Sequence, residues 1–217
     1  KYLVNSFLSE AEWRINLHKN IIWNLGAAYT NSEASFEEYS DSQSRIILSA
    51  FTGIIYQPFS SWTFNLNIRK EYTNNQNGPF SPSIGVEGLI VKNILNVFGN
   101  VGRHYNLPSM NDLYWVPGGN ANLLPEEAWT EEVGLIFFKK HKSMPEITLT
   151  GYNSQVDNWI KWQPTVGGIY SPNNLRKVHS RGIETTLQYS KTIRKIILNI
   201  RINYAYCKSS ISETYSS

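Results

Sequence analysis

The stretch IILNIRINYAY, residues 196–206, largely alternates apolar and polar side chains. Isoleucine, leucine and tyrosine occupy its even positions, and Asn199, Arg201 and Asn203 fall between them. Successive side chains of an extended strand point to opposite faces, so this strand has one apolar and one polar face. It is also about twice as long as a typical strand of a soluble protein, which has about 5–6 residues. The segment therefore predicts a long strand whose two faces meet different surroundings.

The same pattern recurs along the chain, for example in WTFNLNIRKEYT, residues 62–73, where the apolar residues are again the even ones. No stretch has a convincing helical period, which predicts an all-β fold. We predict about ten strands, near residues 11–18, 21–30, 45–56, 62–73, 82–91, 94–105, 128–138, 146–157, 178–189 and 195–207.

The connections between these strands alternate in length. Residues 19–20, 57–61, 92–93, 139–145 and 190–194 form short turns, whereas longer loops cover residues 31–44, 74–81, 106–127 and 163–177. This alternation is typical of membrane barrels. The ten residue steps from Trp62 to Tyr72 cover roughly 33 Å, or about 25 Å of height when the strand tilts by about 40°. We predict an antiparallel up-and-down transmembrane β-barrel with lipid outside and a polar lumen inside.

Two alternatives remain open at this point. A soluble all-β domain that binds carbohydrate or a partner fits segment 45–56, which is apolar on both faces as a buried strand would be. A ten-stranded outer-membrane protease would need carboxylates and a histidine at the rim. Asp112, Asp157, His104 and His179 are the candidates, but no spacing pairs them, so we predict no enzyme.

Composition excludes several other classes. The net charge of +3 includes no basic cluster, which argues against nucleic acid. Cys207 is the only cysteine, so no internal disulfide forms, and its surroundings lack metal-ligand spacing. We expect no metal, no cofactor and no catalytic residue. No apolar run approaches the ~18–20 residues of a membrane helix.

The longest loop and the strand after it read GRHYNLPSMNDLYWVPGGNANLLPEEAWTEEVGL, residues 102–135. Pro108 and Pro125 restrict the backbone, and Gly119 permits a turn. Several Asn and Asp side chains can bond nearby amides, so the loop is expected to be ordered.

This stretch resembles the TonB-dependent outer-membrane receptors, especially those for vitamin B12 and siderophores. Their pattern runs P-(S/T)-x-N-D-L-Y, then G-N-P-x-L-x-P-E, then E-x-G. Ala121 replaces the usual proline, and Leu124 replaces a common lysine. A second family motif, N…R-G-(V/I)-E, is matched from Asn174 onward. The residues that carry the resemblance are Pro108, Asn111, Asp112, Leu113, Tyr114, Trp115, Gly119, Asn120, Asn122, Leu123, Pro125 and Glu126 in the loop, and Gly182 and Glu184 in the later strand.

The resemblance implies a 22-stranded barrel, of which residues 1–217 would be an interior part, with the plug domain and the TonB-binding box elsewhere. It implies an outer-membrane receptor for TonB-coupled uptake of a scarce nutrient, such as an iron–siderophore or cobalamin. TonB, that ligand and membrane lipids are the implied partners. We expect the loop residues to order the loop over the lumen, with ligand contact by Tyr114 or Trp115 as the sharper alternative.

Overall fold

The structure, a computed structural model, describes residues 3–37, 39, 41–74, 78–137 and 145–212. Ten antiparallel strands form one sheet in which each strand pairs with the next along the chain. A short helix, α1, covers Met110–Tyr114. The strands are β1 (Leu3–His18), β2 (Ile21–Ser35), β3 (Gln43–Phe59), β4 (Trp62–Thr73), β5 (Ser81–Val91), β6 (Leu95–Asn106), β7 (Glu126–Phe137), β8 (Glu146–Pro164), β9 (Tyr170–Ile193) and β10 (Ile196–Ser212).

The predicted all-β, up-and-down arrangement is confirmed, because the spatial order of the strands equals their order in the sequence. The sheet is a single layer. Its apolar side chains stay exposed over the described residues: Leu66 is 54% exposed, Val133 61% and Ile202 57%. A soluble all-β domain would bury such residues against a second layer, and the structure contradicts that alternative.

Strand register separates the two faces as the sequence predicts. Ile54, Leu66 and Ile84 are directly paired across β3, β4 and β5 on the apolar face, which we call the outer face. Their neighbours Asn67 and Ser83 pair on the opposite, inner face. Segment 45–56 divides in the same way, since its even residues are on the outer face and its odd residues on the inner one.

Inner-face aromatic residues lie against glycines on the neighbouring strand. Phe51 is directly opposite Gly26, and Phe98 is directly opposite Gly134. A Cβ on Gly134 would lie 2.2 Å from Cζ of Phe98. Because glycine has no side chain, each Phe ring can lie directly on the backbone of the neighbouring strand. This packing explains why aromatic residues occur on an otherwise polar face.

The predicted loop 163–177 is wrong. β8 continues to Pro164 and β9 begins at Tyr170, so only residues 165–169 form the turn. Pro172 pairs with Trp162 inside the hairpin. The region contains Pro, Gly and Asn residues that ordinarily indicate a loop, but at this height β8 and β9 pair only with each other, and Pro is tolerated at such an edge.

Two other connections differ less. Loop 31–44 shortens to residues 36–42, and the predicted turn 139–145 lies outside the described residues except for its last one. The five-residue helix Met110–Tyr114 lies within predicted loop 106–127 and is too short to produce a period in the sequence. Among the described residues, no helix is long and apolar enough to cross a membrane.

The described part of the sheet has two free edges, because no pairing joins β1 to β10. All 16 residues of β1 are exposed. An unpaired edge leaves backbone N–H and C=O groups without partners, which hydrocarbon does not tolerate. In hydrocarbon, each free edge would therefore have to pair with another strand.

Leu66→Arg tests which face meets lipid. Leu66 lies near the middle of β4 on the outer face, so an arginine there should cost about 2–4 kcal/mol of barrel stability in a bilayer. Asn65→Arg is the matched control, because Asn65 lies on the inner face between Ile55 and Gly85. Urea unfolding of the whole barrel in lipid vesicles measures both variants, and equal destabilisation would contradict the assignment of the faces.

Candidate functional site

The candidate site consists of residues 107–125, which link β6 to β7 and which we call the motif loop. It lies against the part of the β8–β9 hairpin beyond the Asp157–Lys177 pair, residues 158–176, which we call the hairpin extension. Hydrogen bonds join the two segments at residue separations of about fifty. Asp112 and Asn120, two of the residues that the sequence singles out, therefore contact a segment most of which was predicted to be a loop.

Asp112 joins helix α1 to the hairpin extension. Ser109 caps the helix, since its Oγ accepts from the Asp112 N–H at 3.0 Å and donates to Asp112 Oδ2 at 2.6 Å. The Ser109 N–H donates to the same carboxylate oxygen at 2.9 Å, which completes a capping box. The other oxygen, Oδ1, accepts from Nε1 of Trp162 at 2.8 Å. One carboxylate thus fixes both the helix start and its neighbour.

Asn120 holds the second half of the loop. Its backbone N–H donates to the Asp112 carbonyl at 2.8 Å, and its Nδ2 donates to the carbonyl of Pro172 at 3.0 Å. Its Oδ1 accepts from the Asn122 N–H at 3.0 Å. Gly119 precedes it at a tight approach, where a Cβ would lie 2.6 Å from the Trp115 nitrogen. Any larger residue at Gly119 would displace the backbone of α1.

Asn174 on β9 binds the end of the motif loop. Its Oδ1 accepts from the Leu124 N–H at 2.9 Å, and its Nδ2 donates to the Leu124 carbonyl at 3.0 Å and to the Asn158 carbonyl at 2.6 Å. A side-chain amide that binds both polar groups of one residue imitates a β-ladder. Leu124 is therefore paired although the loop is not a strand.

Glu126 begins β7 and continues this attachment. Its Oε1 accepts from the Ile160 N–H at 2.7 Å, and Nδ2 of Asn106 donates to its Oε2 at 3.2 Å. The carboxylate thereby connects the last residue of β6 with β8 across the base of the loop. Pro125 precedes it, half-buried, at the point where the loop becomes strand.

Arg45 reaches the motif loop from β3. Its Nη2 donates to the Pro108 carbonyl at 2.7 Å. Burial lowers the pKa of the Arg45 guanidinium, and the nearby Tyr114 and Asp112 offset part of that effect. Along β3, Arg45 is three residues closer to the motif loop than Leu48, whose partner on β4 is Tyr72. Arg45 therefore lies outside the level of the outer-face aromatic residues at this end of the sheet. An arginine remains charged near neutral pH after such a shift, so it stays a strong donor.

A small core forms under the motif loop. Leu123 is 1% exposed, Leu113 5% and Tyr39 7%, and Pro108 and Pro172 are fully buried. Most of the buried apolar residues in the described part of the chain belong to this core and not to the sheet faces. Five fully or nearly buried side chains from three separate segments explain why a nineteen-residue connection has a defined structure.

The two aromatic residues considered as ligand contacts are engaged by the protein. The Trp115 ring meets the Trp162 ring edge-on, with centroids 5.6 Å apart. Tyr114 meets Tyr39 at 6.4 Å, also edge-on. Such pairs contribute about 0.5–1.5 kcal/mol beyond burial. Both rings remain half-exposed, so the contacts leave part of each ring open.

The remaining sequence-predicted residues are distributed differently. Asn111 is exposed and contributes its carbonyl, which accepts from the Trp115 N–H at 3.2 Å. Glu184 is ten residues beyond Asn174 on β9, roughly 33 Å away, on the inner face. Gly182 lies opposite Tyr152, and a Cβ there would be 2.3 Å from the Tyr206 carbonyl oxygen. Gly182 and Glu184 of the second motif therefore lie within the sheet and away from the loop assembly, whereas its first residue, Asn174, binds the motif loop.

Sequence reasoning missed Arg45, Trp162, Ile160 and Pro172 as partners of the loop. Each is separated from its partner by 34 to 63 residues. Three of the contacts use backbone groups on one side, which no residue pattern encodes. Only an unusually Trp-rich segment, with Trp159 and Trp162 near the strand end, hinted at packing there.

The four residues considered for peptide hydrolysis do not form an acid–base pair. Asp112 is bound to Ser109 and Trp162, Asp157 is 3.4 Å from Nζ of Lys177, and His179 bonds Asn153. Within the described residues, no group of three or more His, Cys, Asp or Glu side chains could hold a metal ion.

Comparison with known proteins gives consistent results. A family model for "TonB dependent receptor-like, beta-barrel" matches residues 5–217. A vitamin B12 transporter BtuB of Vibrio vulnificus is 31% identical over 98 residues, which are 45% of this chain and 16% of that protein. A BtuB of Photobacterium profundum is 27% identical over 183 residues, which are 82% of this chain and 27% of that protein. The chain thus spans about a quarter or less of these relatives.

Solved structures resemble the sheet over nearly its whole length. The siderophore receptor PirA from Pseudomonas aeruginosa matches 97% of this chain and 41% of its own, with a TM-score of 0.83 at 16% identity. A mutant of the ferric enterobactin receptor PfeA from the same species matches 94% of this chain and 36% of its own, with a TM-score of 0.74 at 17% identity. At such identities, these matches establish the fold alone.

Asn174→Ala should loosen the motif loop without disrupting the sheet. The change removes three hydrogen bonds, worth roughly 2–3 kcal/mol together, so local opening should become about 30–150-fold more frequent. Limited proteolysis of the folded full-length barrel would measure this as faster cleavage within residues 107–125. Asn173→Ala is the control, because within the described residues the Asn173 side chain bonds only the Ser171 carbonyl, two residues away. Equal cleavage of both variants would contradict the role given to Asn174.

Proposed function

Since the chain belongs to the TonB-dependent receptor family, as part of its β-barrel, we propose that it forms part of an outer-membrane receptor for a scarce nutrient. In this proposal, cobalamin or an iron–siderophore enters through the barrel, and TonB supplies the energy for uptake. The observation that carries the proposal is the family match over residues 5–217, to a family of receptors. No bond chemistry in the chain is required for such a function.

An outer-membrane location is supported by the polarity of the sheet, whose outer face requires apolar surroundings and whose inner face requires polar ones. The outer face exposes a continuous apolar surface, of which Leu66, Ile84 and Ile202 are more than half exposed. Exposing such a surface to water costs about 25 cal/mol per Å² of apolar area, whereas lipid chains solvate it. Asparagines and charged residues on the inner face suit a wet or plug-filled lumen.

We propose that residues 1–217 are one part of a larger barrel domain. The free edges of β1 and β10 need further strands, and the chain matches 36–41% of the solved receptors. A plug domain, through which TonB would act, is proposed for the rest of the protein. This division follows the family resemblance.

We assign a bracing role to the motif loop. Its polar residues point to partners within the protein: Asp112 to Trp162, Asn120 to Pro172, and Glu126 to Ile160. The loop joins β6 to β7, and its hydrogen bonds hold the hairpin extension against it. In this role Tyr114 and Trp115 contribute packing, and the exposed part of each ring is the surface that a nutrient would reach.

Cobalamin is the first ligand to test. The relatives with 27–31% identity are named as vitamin B12 transporters, whereas the siderophore receptors share the fold at 16–17% identity. Sequence identity in the first group is still low enough to permit a different nutrient. Ferric enterobactin is therefore the second probe.

The decisive experiment uses the full-length protein in cells that lack their own cobalamin and siderophore receptors. Radiolabelled cyanocobalamin and ferric enterobactin are offered separately, with and without functional TonB. We expect one ligand to bind at the cell surface in both backgrounds and to enter only when TonB functions. Binding of neither ligand would contradict the assignment to cobalamin or ferric enterobactin, and uptake without TonB would contradict the energy coupling.

The bracing role predicts a second result with the same cells. Asn174→Ala should weaken ligand binding several-fold, because a loosened motif loop no longer fixes the neighbouring loops. Asn173→Ala should bind as the unmodified receptor does. If Trp115→Phe, which retains an aromatic ring against Trp162, abolishes binding while Asn174→Ala does not, the loop contacts the ligand directly and the bracing assignment is wrong.

A further inference from the structure

A depression on the outer face lies where the apolar surface ends, toward the motif-loop end of the sheet. Its volume is about 690 Å³. Val133, Gly151, Ile183 and Tyr206 form one directly paired row across β7 to β10, and all four line it. A Cβ added to Gly151 would meet nothing within 4 Å, so the glycine leaves a notch between exposed neighbours. This notch has the shape and polarity to accept an acyl chain.

The next row toward the motif loop is polar. Glu131, Asn153, Arg181 and Lys208 are directly paired across the same four strands and line the same depression. Nδ2 of Asn153 donates to Glu131 at 3.5 Å, so the acidic end of the row already has a partner. The other end of the row consists of Arg181 and Lys208.

Arg181 and Lys208 are like charges directly opposite each other on adjacent strands. Such a pair is destabilising on its own. Other outer-face cations nearby have acidic partners: Arg103 bonds Glu127, and Lys177 is 3.4 Å from Asp157. In the described part of the chain, Arg181 and Lys208 form no ion pair. Two adjacent cations without a counter-ion among the described residues are suited to bind an anion.

The position of this pair selects the kind of anion. Tyr206 lies directly below Lys208 on the same face, and aromatic residues mark the boundary between hydrocarbon and headgroups. A charged side chain at that level meets lipid phosphate. Each Lys or Arg near an anionic lipid surface strengthens binding to that surface about fivefold. A phosphate at Arg181 and Lys208 would place its acyl chain over Gly151.

We propose that this depression binds one lipid with a phosphate headgroup, with the phosphate between Arg181 and Lys208 and an acyl chain in the Gly151 notch. The inference rests on the proposed membrane placement and not on the transported nutrient. Lipid binding is measured in micelles without uptake, so its failure is distinguishable from failure of the receptor function.

The test is native mass spectrometry of the full-length protein after delipidation, with three probes. Dioleoyl phosphatidic acid has phosphate and acyl chains, dioleoylglycerol has the chains alone, and inorganic phosphate has the headgroup charge alone. We expect one phosphatidic acid to be retained preferentially. Equal retention of dioleoylglycerol would overturn the phosphate assignment, and binding of inorganic phosphate alone would overturn the lipid assignment.

Three substitutions locate the site. Arg181→Gln and Lys208→Gln should each weaken retention about fivefold, and Gly151→Leu should weaken it by filling the notch. Lys191→Gln is the control. Lys191 lies on the outer face of β9, as Arg181 does, but at the opposite end of the strand, where it pairs with Leu198. Migration of the folded barrel in unheated gels verifies folding of each variant.

The proposal is overturned if the Arg181 and Lys208 variants retain the lipid as well as the Lys191 variant does. It is also overturned if the unmodified protein forms a dimer that these variants lose, since the depression would then be a contact between two copies of the chain.

Discussion

Every backbone polar group of this chain must find its partner within the sheet where the outer face meets hydrocarbon, because lipid supplies none. This constraint produces the long, continuously paired strands, such as β9, which pairs with both neighbours over most of its 24 residues. It also removes the need for a second layer. In the proposed membrane placement, lipid covers one face and the lumen lies against the other, which accounts for the few buried side chains of the sheet.

The motif loop lies outside the sheet, so its backbone polar groups lack the hydrogen-bond partners that a neighbouring strand supplies. Side-chain amides and carboxylates there replace ladder hydrogen bonds: Asn174 pairs with Leu124 as a strand would, and Glu126 accepts from the Ile160 backbone. A core around Leu113 and Leu123 excludes water from these bonds. Exclusion of water strengthens each bond, so the polar network and the core stabilise each other.

The charged residues of the outer face follow from the same change of solvent along the strands. Near the middle of a strand, a cation would be solvated by neither water nor phosphate. Two residues beyond Tyr206, which is the level of the headgroups in the proposed placement, the cross-strand pair Arg181 and Lys208 becomes tolerable because anions are available. Arg103 and Lys177 lie farther toward the motif loop, and each has a carboxylate of the protein beside it.

The sequence by itself determined the fold class, the existence of all ten strands and the identity of the two faces, because alternation with period two is a local property of the chain. Five strands, β3 to β7, were predicted to within three residues at both ends, whereas β1, β2, β8, β9 and β10 are longer than predicted. It also identified the loop residues by their family pattern. Only the tertiary structure decided that residues 163–177 are mostly strand and that the motif loop lies against them, since contacts such as Arg45 with Pro108 join residues 63 apart through a backbone carbonyl. A carbonyl exists at every position, so no residue pattern can indicate which one is bound.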